Sequence, residues 1–188
     1  MGNGGRCEDF GMSRWPIGGN AELRILAATD AVELFTLVER NRERLGEYLP
    51  WVHWTHQVSD VEGFLETAGE QHESGRGFHG GIVMDGRLAG CAGMHPIDPI
   101  HRNVALGFWI DQAAEGKGLV TRAAAELVRI CFTDYNLHRV EIRCAEGNAR
   151  SRAVALRLGF REEGLLQGVE LINGRWHNLR VFGRLATD

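Results

Sequence analysis

The chain is short of basic charge, of clustered cysteine and of long apolar runs, and each shortage removes a class of function. Lys and Arg number 21 against 25 Asp and Glu, so the formal net charge is −4. A nucleic-acid surface needs a basic patch, and this balance argues against one. The four cysteines, Cys7, Cys91, Cys131 and Cys144, lie far apart with no C-x-x-C pair. Three of them sit in apolar strand or helix patterns, which reads as reduced core thiols, not disulfides or zinc. The eight histidines are scattered too. His53 and His56 share a helical face, but no further ligands cluster near them, so no metal site is expected. No apolar run approaches the roughly 18 residues that a membrane helix needs.

What is there begins with a glycine-rich stretch, "MGNGGRCEDFGMSRWPIGG". It has no apolar core for a secretory signal, and Arg6 stands where a myristoylation signal wants Ser or Thr. Residues 1–20 therefore read as a loosely ordered leader, with Met12 an alternative start, ahead of one domain over 21–187 and a cytoplasmic setting. A length of 188 residues suits a single full core.

The pattern along that domain alternates in kind. Glu22 to Leu26 reads as a strand. Thr29 or Asp30 then caps a helix that buries Val32, Leu34, Phe35, Leu37, Val38 and Leu45. "YLPWVHW" ends it at Pro50. Ser59 or Asp60 caps a second helix to about Ser74, with Val61, Phe64, Leu65 and Ala68 inward. "FHGGIVMD" and "RLAGCAGMHP" flank Asp85-Gly86, a hairpin signal. Asn103 to Ile110 is a further strand, followed by a helix burying Leu119, Val120, Ala123, Ala124, Leu127, Val128 and Cys131. His138 to Cys144 alternates as a strand. "NARSRAVALRL" is a short helix closed at Gly159, and two strands flank Asn173-Gly174. The reading is an α/β (α+β) fold in one domain. Its mixed, mostly antiparallel sheet has about seven strands, hairpin connections and one crossover.

The segment "AAEGKGLVTRAAAELV" carries the chemistry. Gly116 and Gly118 stand where the long helix starts, and a helix N-terminus offers unpaired N–H groups to an anion. Glycine lets that anion approach the backbone. A phosphate-binding Walker loop fails because in Gly116-Lys117-Gly118-Leu119 no Ser or Thr follows the lysine to meet Mg²⁺. A dinucleotide fingerprint fails because Thr121 replaces its third glycine. The pyrophosphate of coenzyme A is the third candidate.

Asn103 to Phe160 resembles the acetyl-CoA-binding core of the GNAT N-acetyltransferase superfamily. That family's turn, [Q/R]-x-x-G-x-[G/A], appears as Ala113-Ala114-Glu115-Gly116-Lys117-Gly118, with Ala in place of the first Gln or Arg. "EGNARSRAVALRLGFREEG" is similar to the second CoA-side segment. "VELINGRWHNLRVFGRL", with "YLPWVHW" upstream, resembles the branch that acetylates ribosomal-protein N-termini at alanine or serine. The resemblance runs from about Glu22 to Leu185.

It implies acetyl-CoA as co-substrate and a role for each matching residue. Phe108, Trp109 and Ile110 would pair with the pantetheine arm, one of their N–H groups polarising the thioester carbonyl; such a donor contributes about 3 kcal/mol. Gly116, Lys117, Gly118, Leu119 and Val120 would offer N–H groups to the pyrophosphate. The Lys117 side chain either adds charge there or stays solvated. Arg122 would reach the 3′-phosphate or adenine. Asn148 either bonds the pantetheine or caps its helix. The family's tyrosine acid is replaced by Ala155. Ser151, four residues earlier on the same face, is either the proton donor to the thiolate or an idle helix residue. Glu170 is either the general base or an exposed sheet-face carboxylate. Trp51, His53, Trp54, Trp176 and His177 would wall the acceptor pocket.

An α-amine of pKa near 7.8 is about 10–15% neutral at pH 7, and a lysine only about 0.04%. One carboxylate therefore suffices for a protein N-terminus. The expected reaction is direct acetyl transfer to such an amine in a ternary complex. A small-molecule amine (an aminoglycoside or polyamine) and a non-catalytic acyl-CoA-binding module are the alternatives. The apolar last hairpin, with an uncovered edge, implies a homodimer.

Overall fold

A computed structural model describes residues 13–188. Its strands are β1 (Arg14–Pro16), β2 (Ala21–Ile25), β3 (His79–Met84), β4 (Arg87–Met94), β5 (Asn103–Ile110), β6 (Arg139–Ala145), β7 (Arg161–Ile172) and β8 (Arg175–Leu185). Its helices are α1 (Ala31–Arg40), α2 (Arg42–Gly46), α3 (Val58–Glu73), α4 (Leu119–Thr133) and α5 (Ala149–Arg157). The strands form one sheet in the order β1-β2-β3-β4-β5-β6-β8-β7. Every neighbouring pair is antiparallel except β5 with β6. No helix among the described residues is long and apolar enough to cross a membrane.

The elements follow the sequence pattern closely, with four corrections. Among the described residues the sheet has eight strands, not about seven. The extra one is β1, inside the stretch expected to be leader; its Trp15 is buried and stacks on Phe78 at 4.9 Å. Residues 1–12, including Met12, lie outside the described residues. There are two crossovers, because α5 carries the chain from β6 past β8 to β7. The first helix is broken at Asn41 into α1 and α2. Val32 (65% exposed) and Phe64 (41%) face outward, contrary to the expected buried stripes.

Capping also differs from expectation. Asp30 precedes α1, but its carboxylate accepts from Arg24 (2.6 and 2.7 Å) and the Ala27 N–H (2.8 Å) instead of capping forward. Asp60 reaches back from the first turn of α3 to the N–H groups of His56 (2.8 Å) and Gln57 (3.1 Å), satisfying donors that a helix start leaves unpaired.

Two apolar layers enclose the sheet. On one face α4 and α5 bury Ala123, Leu127, Cys131 and Ala155 against Leu23, Ile82, Leu106, Ile142 and Phe182. Full burial of one such large aliphatic side chain contributes about 1.5–3 kcal/mol. On the other face α1 and α3 pack Leu34, Leu37, Val61 and Leu65 on Val83 and Leu88. Side chains alternate across a strand, so β5 sends Val104 and Leu106 to the α4 side and Trp109 to the opposite side.

Candidate active site

The two parallel strands at the centre part company. Pairing between β5 and β6 runs from Asn103↔Arg139 to Leu106↔Ile142 and stops. Main-chain groups alternate sides along a strand, and the odd-numbered residues of β5 turn theirs to β4. The Ala105 carbonyl accepts from the His95 N–H (2.9 Å), and the Asp111 N–H reaches the Ala89 carbonyl (2.7 Å). Phe108 and Ile110 therefore aim their main-chain groups into the gap beside β6. Trp109 does not: its carbonyl lies over Gly90, where an added Cβ would come within 2.3 Å of it. This corrects the expected strand-like pairing of Trp109. Its indole instead packs on Trp51, with ring centroids 6.2 Å apart. The Ile110 carbonyl is taken by Arg44, which leaves its N–H.

The gap opens onto the glycine turn. Gly116 (φ +75) and Gly118 (φ +70) both occupy the left-handed region, which L side chains rarely adopt. A Cβ at Gly116 would meet nothing within 4 Å, so the turn faces open space. Gly118 is the N-cap of α4 and supplies no side-chain cap, so the first-turn N–H groups at Leu119 and Val120 point outward unsatisfied by a side chain. Lys117 is exposed, its Nζ 3.9 Å from Met84 Sδ. Arg122 folds back and donates to the Lys117 carbonyl at 2.9 Å. The turn thus presents helix N-terminal N–H groups to open space at the end of the gap.

Two protic side chains lie on opposite faces of the sheet. Ser151 lies on α5, which packs on the α4 side. Asn148 caps that helix, its Oδ1 accepting from the Ser151 N–H at 3.0 Å. The Ser151 hydroxyl is hydrogen-bonded to the buried Cys144 thiol; burial pushes that thiol's pKa up and the hydroxyl offsets part of the rise. Glu170 pairs in register with His177 across the last hairpin. Through β8 both share the face of Ala145 and Leu179, away from α4. Glu170 is half-buried, and burial raises its pKa while His177 opposes the rise.

The expected acceptor wall is only partly assembled. His53 Nε2 lies 3.2 Å from the Gly46 carbonyl, and Asn173 Nδ2 donates to the same oxygen at 3.2 Å. That carbonyl thus joins the tip of the β7–β8 hairpin to α2 and to the 3₁₀ turn Pro50–Trp54. Trp51 is half-buried against Trp109, whereas Trp54 (71%) and Trp176 (67%) are largely exposed. Sequence reasoning missed Arg40, Asn41, Arg44, Asp111 and Asn173 as contributors. Their partners lie about 70 residues away or more, and no local pattern signals them.

Residues 21–161 match the family model described as an acetyltransferase (GNAT) domain. The chain is 34% identical over 170 residues to the putative ribosomal N-acetyltransferase YdaF of Bacillus subtilis, covering 88% of this chain and 91% of that protein. It is 26% identical over 164 residues to the ribosomal-protein-serine acetyltransferase of Escherichia coli, covering 87% and 92%. Among solved structures, RimL, a ribosomal L7/L12 alpha-N-protein acetyltransferase in complex with coenzyme A, superposes with a TM-score of 0.89 at 24% identity, over 92% of this chain and 97% of that one.

Proposed function

We propose, from the fact that this chain belongs to the GNAT family of N-acetyltransferases, that it moves an acetyl group from acetyl-CoA to the N-terminal α-amine of a protein, a ribosomal protein being the leading acceptor. One observation carries the reading. The seam between β5 and β6 exposes the main chain of Phe108 and Ile110 and runs into a glycine turn that ends on an uncapped helix N-terminus. A molecule with an amide-bearing arm and a pyrophosphate matches both ends of that groove. The names of YdaF and the E. coli serine acetyltransferase support the acceptor class.

In this reading the Phe108 or Ile110 N–H polarises the thioester carbonyl, and Gly116 to Val120 hold the pyrophosphate. The Asn148 amide bonds the pantetheine while its oxygen keeps the helix capped. Arg122 and Lys117 serve the phosphates from the side. Glu170 takes a proton from the acceptor's ammonium, on the face that carries α2, to give the neutral amine that attacks. Ser151 returns one to the departing thiolate from the α5 face. The amine attacks directly, a tetrahedral oxyanion forms at the N–H donor, and the C–S bond breaks; the second proton lost by the nitrogen balances the one Ser151 gives the thiolate, leaving the amide and CoA thiol. His177, His53, Trp51, Trp54 and Trp176 line the acceptor's approach. The enzyme works in the cytoplasm as a homodimer, associating through the last hairpin.

The test is thiol release from acetyl-CoA with peptides bearing N-terminal alanine or serine, set against spermidine and an aminoglycoside. Release with the peptides alone is expected. Turnover only with the small amines would overturn the acceptor class, and no turnover with any amine, despite CoA binding, would overturn the enzymatic reading.

A further inference from the structure

The link between β5 and the glycine turn is held by two elements far away in sequence. Asp111 is only 4% exposed and accepts from Arg40 (Nε at 3.2 Å, and Nη2) and from Asn41 Nδ2 at 2.8 Å. Asn41, equally buried, accepts at Oδ1 from the Gln112 N–H at 3.0 Å. Arg44, on α2, donates to the Ile110 carbonyl and, at 2.7 Å, to Glu115 Oε1. Arg150, on α5, donates to that same oxygen at 3.1 Å. Glu115 is the residue immediately before Gly116. A single carboxylate oxygen thus ties α2, α5 and the start of the turn together, across the mouth of the gap.

Helix α2 also ends at Gly46, whose carbonyl receives His53 and Asn173 from the acceptor side. One short helix therefore grips the CoA turn at Arg44 and the acceptor wall two residues later. Both Arg44 and Glu115 keep a quarter of their side chains exposed, so their pair is sheltered but not sealed. A partly sheltered, charge-assisted bond is stronger than an exposed one and directional.

We propose that Arg44 and Glu115 are positioning residues that set the glycine turn for CoA and transmit its occupancy to the acceptor wall, with Arg150 as the second anchor. The inference rests on the CoA reading given above. When the turn is filled, Glu115 is drawn firmly onto Arg44, α2 stiffens, and the Gly46 carbonyl holds the hairpin tip. Arg44 and Glu115 touch the turn's scaffold, not the reacting atoms.

The experiment combines calorimetric titration with CoA and hydrogen exchange on the full chain, for wild type, Arg44→Gln, Glu115→Gln, Arg150→Gln and the Arg44→Gln/Glu115→Gln double variant. Wild type should bind CoA and gain protection both at 116–120 and at the hairpin tip, 171–177. Arg44→Gln and Glu115→Gln should each weaken CoA binding about 10-fold, and the double variant should be no worse than either single one, as coupled partners behave. In these variants protection at 116–120 should survive at saturating CoA while protection at the tip is lost. Arg150→Gln, on a side chain 75% exposed, cannot threaten the fold and should show a smaller loss of the same kind. Additive losses, or tip protection equal to wild type in every variant, would overturn the inference alone. Absence of CoA binding by folded wild type would overturn the CoA reading and this inference with it.

Discussion

Glu170 and His177 face one another across the β7–β8 hairpin, and burial and the imidazole pull the carboxyl's proton affinity in opposite directions. Burial favours the neutral acid; a protonated imidazole beside it favours the carboxylate. In the proposed base, the balance between these two effects sets the pH at which the acceptor is deprotonated.

Glu170→Gln should therefore lower kcat/KM most at low pH, where neutral amine is scarce, and recover part of the loss as solvent takes over the deprotonation. Removing the imidazole with His177→Phe should shift the acid limb of the wild-type profile upward, because only burial then acts on Glu170. The pH–rate profiles of both variants check this. A loss for Glu170→Gln that is equal at every pH would leave it a positioning role for the acceptor's ammonium.

Ser151→Ala should behave differently. A thiol of pKa near 8.5 is a tolerable leaving group, so the loss should be about 10-fold or less and insensitive to pH. Asn148→Ala should in addition destabilise α5 by about 1 kcal/mol, since the cap at Ser151 is removed. Parallel kinetic and denaturation series separate the two effects. A pH-dependent loss for Ser151→Ala would contradict its assignment as the acid.

Gly118→Val should abolish CoA binding while leaving most of the fold in place. Its φ of +70 is strained for a β-branched residue, and its Cβ would lie 3.3 Å from Arg122 Nη1. Gly116 adopts a similar angle but borders open space. Gly116→Ala should consequently hurt through backbone strain alone and lose less. CoA affinity by calorimetry ranks them, and wild-type affinity in a Gly116→Val/Gly118→Val double variant would sink the pyrophosphate assignment.

Stability should fall as pH drops from about 6.5 towards 4, and His79 is the reason. Burial, helped by the nearby His95, lowers its pKa to about 4. In the unfolded chain the imidazole takes up a proton near 6.5, whereas the folded protein resists until about 4, so protons favour the unfolded state across that window. His79→Gln should flatten the slope of Tm against pH there. An unchanged slope would move the effect to other groups.

Much of this architecture is legible in the sequence because it is local. Alternation bounded β5 at Asn103 and Ile110, Asn173-Gly174 marked the last hairpin, and the two glycines announced the start of α4. What stayed hidden depends on partners distant along the chain. Asn41 breaks the first helix while its side chain serves Asp111 and Gln112, some 70 residues on, and no helix propensity records that. The three residues of β1 carry too little pattern to stand out from a glycine-rich stretch. For Trp109, periodicity gave the strand, but only the register against β4 told which way its main chain faced.

The parting of β5 from β6 has a mechanical side. Four residue pairs join the β1–β5 half of the sheet to the β6–β8 half, and beyond Leu106 the two halves are separate plates. A guest laid along that notch acts as a rivet: it bonds one plate, leans on the other and restores the continuity the backbone gave up. On the proposed reading, rigidity would belong to the loaded protein more than to the polypeptide alone, and each turnover would take the sheet through one cycle of stiffening and release.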